Sequence, residues 1–147
     1  KPENYCMKLA ELKSNDISKK NPEYTVIGAD TIVFINGKIL NKPANISEAK
    51  KMLTLLSDKT HKVLTGVSLQ NQSLNINSTF FDISEVKFYP LTNFEIDNYI
   101  SRYNPLDKAG SYGIQDGSAI FIDKINGSYD NIMGFPISKF YQVLKSI

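Results

Sequence analysis

The sequence predicts an α/β fold in which a mixed, partly antiparallel sheet is flanked by helices. Residues 26–35 are apolar at consecutive positions, which is typical of a strand buried on both faces. Residues 61–69 and 78–89 favour β-structure and predict an antiparallel hairpin. Helical patterns surround these strands at residues 3–14, 45–56 and 92–101, and again after Pro136. No repeat or linker interrupts the chain, so we expect a single domain over residues 1–147.

The first helix is predicted over residues 3–14, because Tyr5, Leu9 and Leu12 recur at helical spacing. The polar stretch 15–24 predicts a loop. This loop would lead from the helix into the buried strand.

A tight hairpin is predicted after that strand. Asn36 and Gly37 form a strong type I′ turn signal, so the chain should double back through residues 38–40. Such a return would bring Lys42 close to the neighbourhood of Asp30. A lysine there is either a solvated surface charge or a point charge for a phosphate.

Two later helices begin with capping patterns. Asn45 is followed three positions later by Glu48, and Thr92 is followed in the same way by Glu95. The first of these helices should bury Ala49, Met52, Leu53 and Leu56 on one face.

The C-terminal third contains shorter elements. We expect a connection at 70–77, a short strand at 119–122 and a turn at Asn126 and Gly127. A last helix should begin at Pro136. Its apolar face would present Ile137, Phe140, Val143 and Leu144.

Composition excludes several classes of site. The 17 basic and 15 acidic residues give a formal charge of +2 without a basic stripe, so nucleic acid is not an expected partner. Cys6 is the only cysteine, which excludes an internal disulfide, and His61 is the only histidine, which excludes a multi-histidine metal site. A bound divalent ion would therefore need oxygen ligands, which suits Mg²⁺ or Mn²⁺. No membrane-length apolar run or signal peptide is present, and we expect a cytoplasmic protein without a membrane partner.

Asp30 is the most informative single residue. We expect it at the end of the buried strand, where an unpaired carboxylate would be costly. It is either a structural residue, as half of a salt bridge or as a strand-end cap, or a catalytic carboxylate. Neighbouring Gly28 allows close approach to the backbone, and Thr31 adds a hydroxyl. His61, as a lone histidine at a strand start, favours a hydrogen-bonded structural role over that of a general base.

Residues 105–115 form a second candidate segment. Gly110 and Gly113 permit unusual backbone conformations beside charged residues, which is common in binding loops and also occurs in ordinary surface loops. The segment matches neither of the standard glycine-rich phosphate loops.

Five segments, in order, resemble the signature blocks of the Maf family. They are residues 28–33, Lys42 with Pro43, residues 60–67, residues 105–115 and residues 131–136. The resemblance implies a nucleoside triphosphate pyrophosphatase that cleaves the α–β linkage with a divalent metal, Mg²⁺ or Mn²⁺. It also implies a curved sheet with a nucleotide cleft between two lobes, similar to inosine-triphosphate pyrophosphatases, a homodimer, and a house-cleaning role in nucleotide metabolism.

The resemblance assigns roles to five residues. Asp30 matches the catalytic acid/base, and the sequence leaves open whether it instead holds the metal. Lys42 matches a phosphate-contacting lysine, and Lys13 resembles the lysine of the helix before the strand. Thr31 and Gln115 match positions of base selection, of the type in the branch that prefers dTTP and UTP.

One part of the family pattern is missing. The chain begins at Lys1 and does not contain the family's Ser- and Arg-rich phosphate motif or the acidic segment that follows it. We expect a domain without its first strand and helix, and therefore an exposed sheet edge. Two hypotheses follow: a nucleotide pyrophosphatase, or a catalytically impaired Maf-like module that binds a nucleotide or a protein partner.

Overall fold

The computed structural model describes residues 1–147 as one five-stranded sheet flanked by helices. The elements are α1 (Pro2–Lys20), β1 (Val26–Ile35), β2 (Lys38–Leu40), α2 (Ile46–Leu56), β3 (Thr60–Asn71), β4 (Ile76–Phe88), α3 (Asn93–Arg102), β5 (Ile122–Asn126), α4 (Tyr129–Met133) and α5 (Ile137–Leu144). The strand order is β2-β1-β3-β4-β5, and every pairing is antiparallel. The α/β class with a helix-flanked sheet is confirmed, whereas the sheet is wholly antiparallel and not mixed. No helix combines the length and the apolar character that crossing a membrane requires.

Strand β1 has one long and one short neighbour. It pairs with β3 along nearly its whole length, whereas β2 pairs only with its last three residues, Val33 to Ile35. The edge of residues 26–32 that faces away from β3 therefore has no strand partner. Asn36 and Gly37 have φ angles of 50° and 75°, which confirms the predicted turn.

The two faces of the sheet bury apolar clusters of different size, with 3 residues on one face and 15 on the other. On one face, Cys6 of α1 packs with Ile32 and Leu64. The opposite face carries the main core, to which α2, α3 and the segment after α3 contribute. Its members include Val33, Met52, Leu53, Leu56, Val63, Phe88, Ile96, Tyr99, Tyr112 and Phe121.

The helical spacing predicts α1 correctly, but two of the three apolar residues that carry it lie outside its buried face. Tyr5 and Leu12 are 39% and 53% exposed. The buried face of α1 consists of Cys6, Ala10, Ser14 and Ser18. The helix also continues to Lys20, through much of the predicted loop.

Two strand glycines explain why small residues face the sheet. A Cβ added at Gly66 would lie 2.5 Å from the carbonyl carbon of Cys6, and one added at Gly28 would lie 2.9 Å from the backbone nitrogen of Ser14. The backbone of α1 therefore lies almost directly on the strands. Large side chains do not fit at this interface and point outwards instead.

The capping predictions for α2 and α3 are confirmed. The Asn45 side chain accepts a hydrogen bond from the Glu48 nitrogen at 2.9 Å, and Thr92 and Glu95 form a complete capping box. The predicted buried face of α2 is also confirmed in full.

One C-terminal prediction is wrong. Residues Gly117–Phe121 form a 3-10 helix in place of a strand, and Ile120 within it is 75% exposed. Strand β5 begins only at Ile122. Helix α5 begins after Pro136 as predicted, and none of its residues is fully buried.

Candidate active site

A cavity of about 280 Å³ lies along the unpaired edge of β1. This volume is close to the lower end of those found for small-molecule sites, which begin near ~300 Å³. Its walls come from β1, the segment after β2, the loop 107–115 and the end of α4. The charged and polar side chains that line it are Lys13, Asp30, Thr31, Lys42, Asp107, Lys108, Tyr112 and Gln115.

Asp30 and Lys13 form an ion pair at this cavity. The Lys13 ammonium is 2.5 Å from Asp30 Oδ1 and also donates to the Ala29 carbonyl oxygen at 3.2 Å. The Asp30 side chain is 16% exposed and that of Lys13 is 57% exposed. Asp30 therefore has the partner that its environment requires, and its second oxygen, Oδ2, accepts no hydrogen bond from the protein. It lies in the middle of β1, so the expectation of a strand-end position is wrong.

Lys42 is the lysine of this cavity that has no ion pair. Lys108 contacts Asp107 Oδ1 and the Asn104 carbonyl oxygen, each at 2.8 Å. This contact with Lys108 lowers the pKa of the Asp107 carboxyl. Since Lys13 and Lys108 are both paired with carboxylates, the charge of Lys42 is the one available to an anionic ligand.

A buried polar network supports the wall beside Thr31. The hydroxyl oxygens of Thr31 and Thr65 are 2.9 Å apart, and the Thr65 hydroxyl lies 2.9 Å from the Asn131 carbonyl oxygen. The side-chain amide of Asn131 donates to the Val63 carbonyl oxygen at 3.1 Å. These bonds attach α4 to β3, and Gly134 at the end of α4 thereby reaches the cavity.

The loop 107–115 is held against the sheet at two points. Gly110 adopts a φ of +67° and donates its N–H to the Asn41 carbonyl oxygen at 3.2 Å. The Tyr112 hydroxyl is 2.7 Å from Nε2 of His61. Burial lowers the pKa of His61 to about 4, and His61 does not line the cavity. This arrangement agrees with the structural interpretation of His61.

The structure brings together all five residues that the resemblance singled out. Lys13, Asp30, Thr31, Lys42 and Gln115 line the same cavity although they lie on four different segments. Sequence reasoning did not name Lys108 or Tyr112 individually. The feature of the sequence that indicated their loop is the pair of glycines Gly110 and Gly113.

The carboxylates present limit how a metal ion could be held. No group of three or more His, Cys, Asp or Glu side chains converges anywhere in the chain. Asp30 and Asp107 line the cavity, and Asp30 Oδ2 is open to a ligand. This donor set fits an ion that takes one carboxylate from the protein and its other ligands from phosphate and water, as Mg²⁺ commonly does.

The fold and the cavity define an α/β protein with a lysine-lined cleft suited to a small anionic ligand. Comparison with known families identifies it further. The family described as Maf-like protein matches residues 1–147. The chain belongs to the Maf family.

Curated relatives in the genus Bacillus carry a more specific name. A protein of Bacillus pumilus (strain SAFR-032) named dTTP/UTP pyrophosphatase is 54% identical over 138 residues, which cover 94% of this chain and 72% of the relative. Proteins of the same name from Bacillus thuringiensis subsp. konkukian (strain 97-27) and Bacillus cereus (strain G9842) are 46% and 45% identical over 144 residues. Each of these matches covers 98% of this chain and 74% of the relative.

Proposed function

We propose that this protein is a nucleoside triphosphate pyrophosphatase that acts on dTTP and UTP. The observation that carries the proposal is the convergence of the Lys13–Asp30 pair and unpaired Lys42 on one cleft. The names of the Bacillus relatives support the choice of substrate. The reaction consumes one water and one nucleoside triphosphate and releases a nucleoside monophosphate and pyrophosphate.

Asp30 would activate the water. Asp30 Oδ2, which accepts no hydrogen bond from the protein, can accept a proton from a water molecule. The oxygen of that water bonds to the α-phosphorus as the bond from this phosphorus to the pyrophosphate oxygen breaks. Lys13 holds the carboxylate in place through Oδ1. The proton passes from the water to Asp30, and the leaving pyrophosphate carries away the electron pair.

Lys42 would bind the phosphates. Phosphoryl transfer depends mainly on charge neutralisation and alignment, and Lys42 offers a positive charge that forms no ion pair with a carboxylate of the protein. Asp30 could also serve as the protein ligand of a divalent ion, which would neutralise further phosphate charge when bound. Thr31 and Gln115 line the same cleft and are our candidates for contacts with the base.

The test is a pyrophosphate-release assay over the common nucleotides with Mg²⁺ or Mn²⁺. We expect dTTP and UTP to be the best substrates. Asp30→Asn should lower turnover by at least about 100-fold, because a positioned general base contributes that much. Asp16→Asn is the matched control, since Asp16 is 67% exposed and pairs only with Lys20 on the surface of α1.

Circular dichroism and nucleotide binding would be measured beside turnover. An Asp30→Asn protein that is folded and as active as the native protein contradicts the assignment. Nucleotide binding without pyrophosphate release from any nucleotide would favour the alternative, a Maf-like binding module.

A further inference from the structure

The turn 113–116 carries Gln115 at its exposed tip. The Asp116 nitrogen donates to the Gly113 carbonyl oxygen at 3.1 Å, which closes the turn. Ile114 is 4% exposed and anchors the turn in the core, whereas Gln115 is exposed and lines the cleft. The direction of the Gln115 side chain therefore depends on how firmly this turn is held.

One buried hydroxyl bridges the two ends of the turn. Tyr99, on α3, is 3% exposed. Its hydroxyl donates to Asp116 Oδ2 at 3.0 Å and accepts the N–H of Gly113 at 3.3 Å. Burial and the negative charge of Asp116 raise the pKa of Tyr99, so the hydroxyl stays protonated and remains a donor.

Neighbouring contacts fix the Tyr99 ring and complete the network. The ring stacks on Tyr103 at 5.3 Å between ring centroids, and Tyr103 in turn packs over Gly117. The second oxygen of Asp116 accepts the Ser118 N–H at 2.9 Å. Tyr99 is thus the only side chain of α3 that hydrogen-bonds to the turn, and it does not itself line the cleft.

We propose that Tyr99 is a positioning residue for base selection, which fixes the direction in which Gln115 meets the nucleotide base. The inference rests on the proposed function and names a residue that determines its specificity. An amide side chain has both donors and an acceptor, so its orientation decides which base edge it complements. Uracil presents an acceptor oxygen where cytosine presents an amino donor, so the preference for UTP over CTP measures this orientation.

The central experiment compares Tyr99→Phe with the native protein. Loss of the hydroxyl leaves the Gly113 N–H and Asp116 Oδ2 without this partner, and the turn should loosen. We expect the ratio of kcat/KM for UTP to that for CTP to fall about five- to tenfold, which corresponds to one hydrogen bond. The loss should come mainly from a higher KM for UTP. Faster amide hydrogen exchange at Gly113 should accompany it.

Tyr103→Phe is the matched control. It removes a hydroxyl from the ring stacked on Tyr99, and that hydroxyl makes no hydrogen bond to the turn. The UTP-to-CTP ratio should stay at the native value in this variant. Asp116→Ala provides a second route to the same loss, in case Tyr99→Phe does not fold.

A double variant separates positioning from general destabilisation. Gln115→Ala should itself lower the ratio, and adding Tyr99→Phe to it should lower the ratio no further, because Tyr99 acts through Gln115.

An unchanged ratio in both Tyr99→Phe and Asp116→Ala overturns the inference. So does a further fall in the double variant. A native protein that releases pyrophosphate from no nucleotide refutes the proposed function, and the inference with it; a native protein that prefers UTP while the variants leave its preference intact refutes the inference alone.

Discussion

Replacing Gly28 with alanine should separate α1 from the sheet and disturb the Lys13–Asp30 pair. The added Cβ would lie 2.9 Å from the Ser14 nitrogen and closer still to the Ala10 carbonyl oxygen. Ordinary contacts of a Cβ begin at 3.4 Å, so α1 must withdraw by about 0.5 Å at Ser14 and by more at Ala10. Both obstructing atoms belong to the helix backbone, which cannot rotate away as a side chain could.

The expected cost follows from this geometry. Overpacking a rigid contact destabilises a protein by about 1–3 kcal/mol, and the backbone clash at Gly28 places it at the upper end, about 3 kcal/mol. Lys13 directly precedes Ser14 on the same helix and would move away from Asp30. A displacement approaching 1 Å at a reacting group lowers turnover by up to about 100-fold.

Urea unfolding and pyrophosphate release would be measured on Gly28→Ala and on Gly37→Ala. Gly37 does not line the cleft, has nothing within 4 Å of an added Cβ and has a φ of +75°, so its substitution carries only backbone strain, about 1 kcal/mol. Equal stability of the two variants, with native turnover in Gly28→Ala, would refute the idea that backbone contact between α1 and β1 sets the site.

The remaining predictions concern His61 and Lys42. The pKa of His61 falls from its ordinary value of 6.5 to about 4 on burial, so the unfolded chain takes up a proton first as the pH falls. The contribution of His61 to the free energy of unfolding should therefore be fully present above pH 6.5 and should fall by about 3 kcal/mol between pH 6.5 and 4. Urea unfolding of His61→Gln over the same pH range should not show this fall. Lys42→Ala should raise the KM for UTP by about tenfold or more, because it removes a charged contact to phosphate. Lys38→Ala, on the same hairpin, should leave the KM unchanged. Equal KM values for the two variants would contradict the role of Lys42.

The elements that the sequence predicts correctly are those specified by nearby residues. The Asn36 and Gly37 turn depends on two adjacent residues that tolerate positive φ. The caps at Asn45 and Thr92 depend on groups three positions apart. The bounds of β1 follow from a run that is apolar apart from Asp30 and Thr31, so no distant contact was needed to place them.

The errors arise where a distant segment decides which face is buried. Tyr5 and Leu12 carry the apolar pattern of α1, yet the glycines of β1 and β3 admit only small residues. The four-residue spacing of Cys6, Ala10, Ser14 and Ser18 was visible in the sequence, but its meaning depended on knowing that Gly28 and Gly66 face it. The apolar neighbours of Ile120 are typical of a strand, yet Ile120 lies on the exposed side of a 3-10 helix.

The cleft itself was only partly predictable. The hairpin geometry placed Lys42 near Asp30 from sequence alone, and both line the cavity. Lys13 and Gln115 depended on the resemblance to a family. Tyr99 could not have been found in either way, because its hydroxyl meets Asp116 through a contact between separate segments.

The unpaired edge of β1 has a consequence for mutational scanning. The main-chain N–H and C=O groups of Ile35 point towards β2. In a strand, the main-chain groups of every second residue point the same way. Those of Ala29 and Thr31 therefore also point towards the edge where the cleft lies. The carbonyl oxygen of Ala29 already accepts the Lys13 ammonium there. Part of the surface offered to a ligand is therefore peptide backbone, which an alanine scan leaves intact. Replacing the main-chain amide of Thr31 with an ester linkage would measure the contribution of this main-chain group to ligand binding, which side-chain replacement does not change.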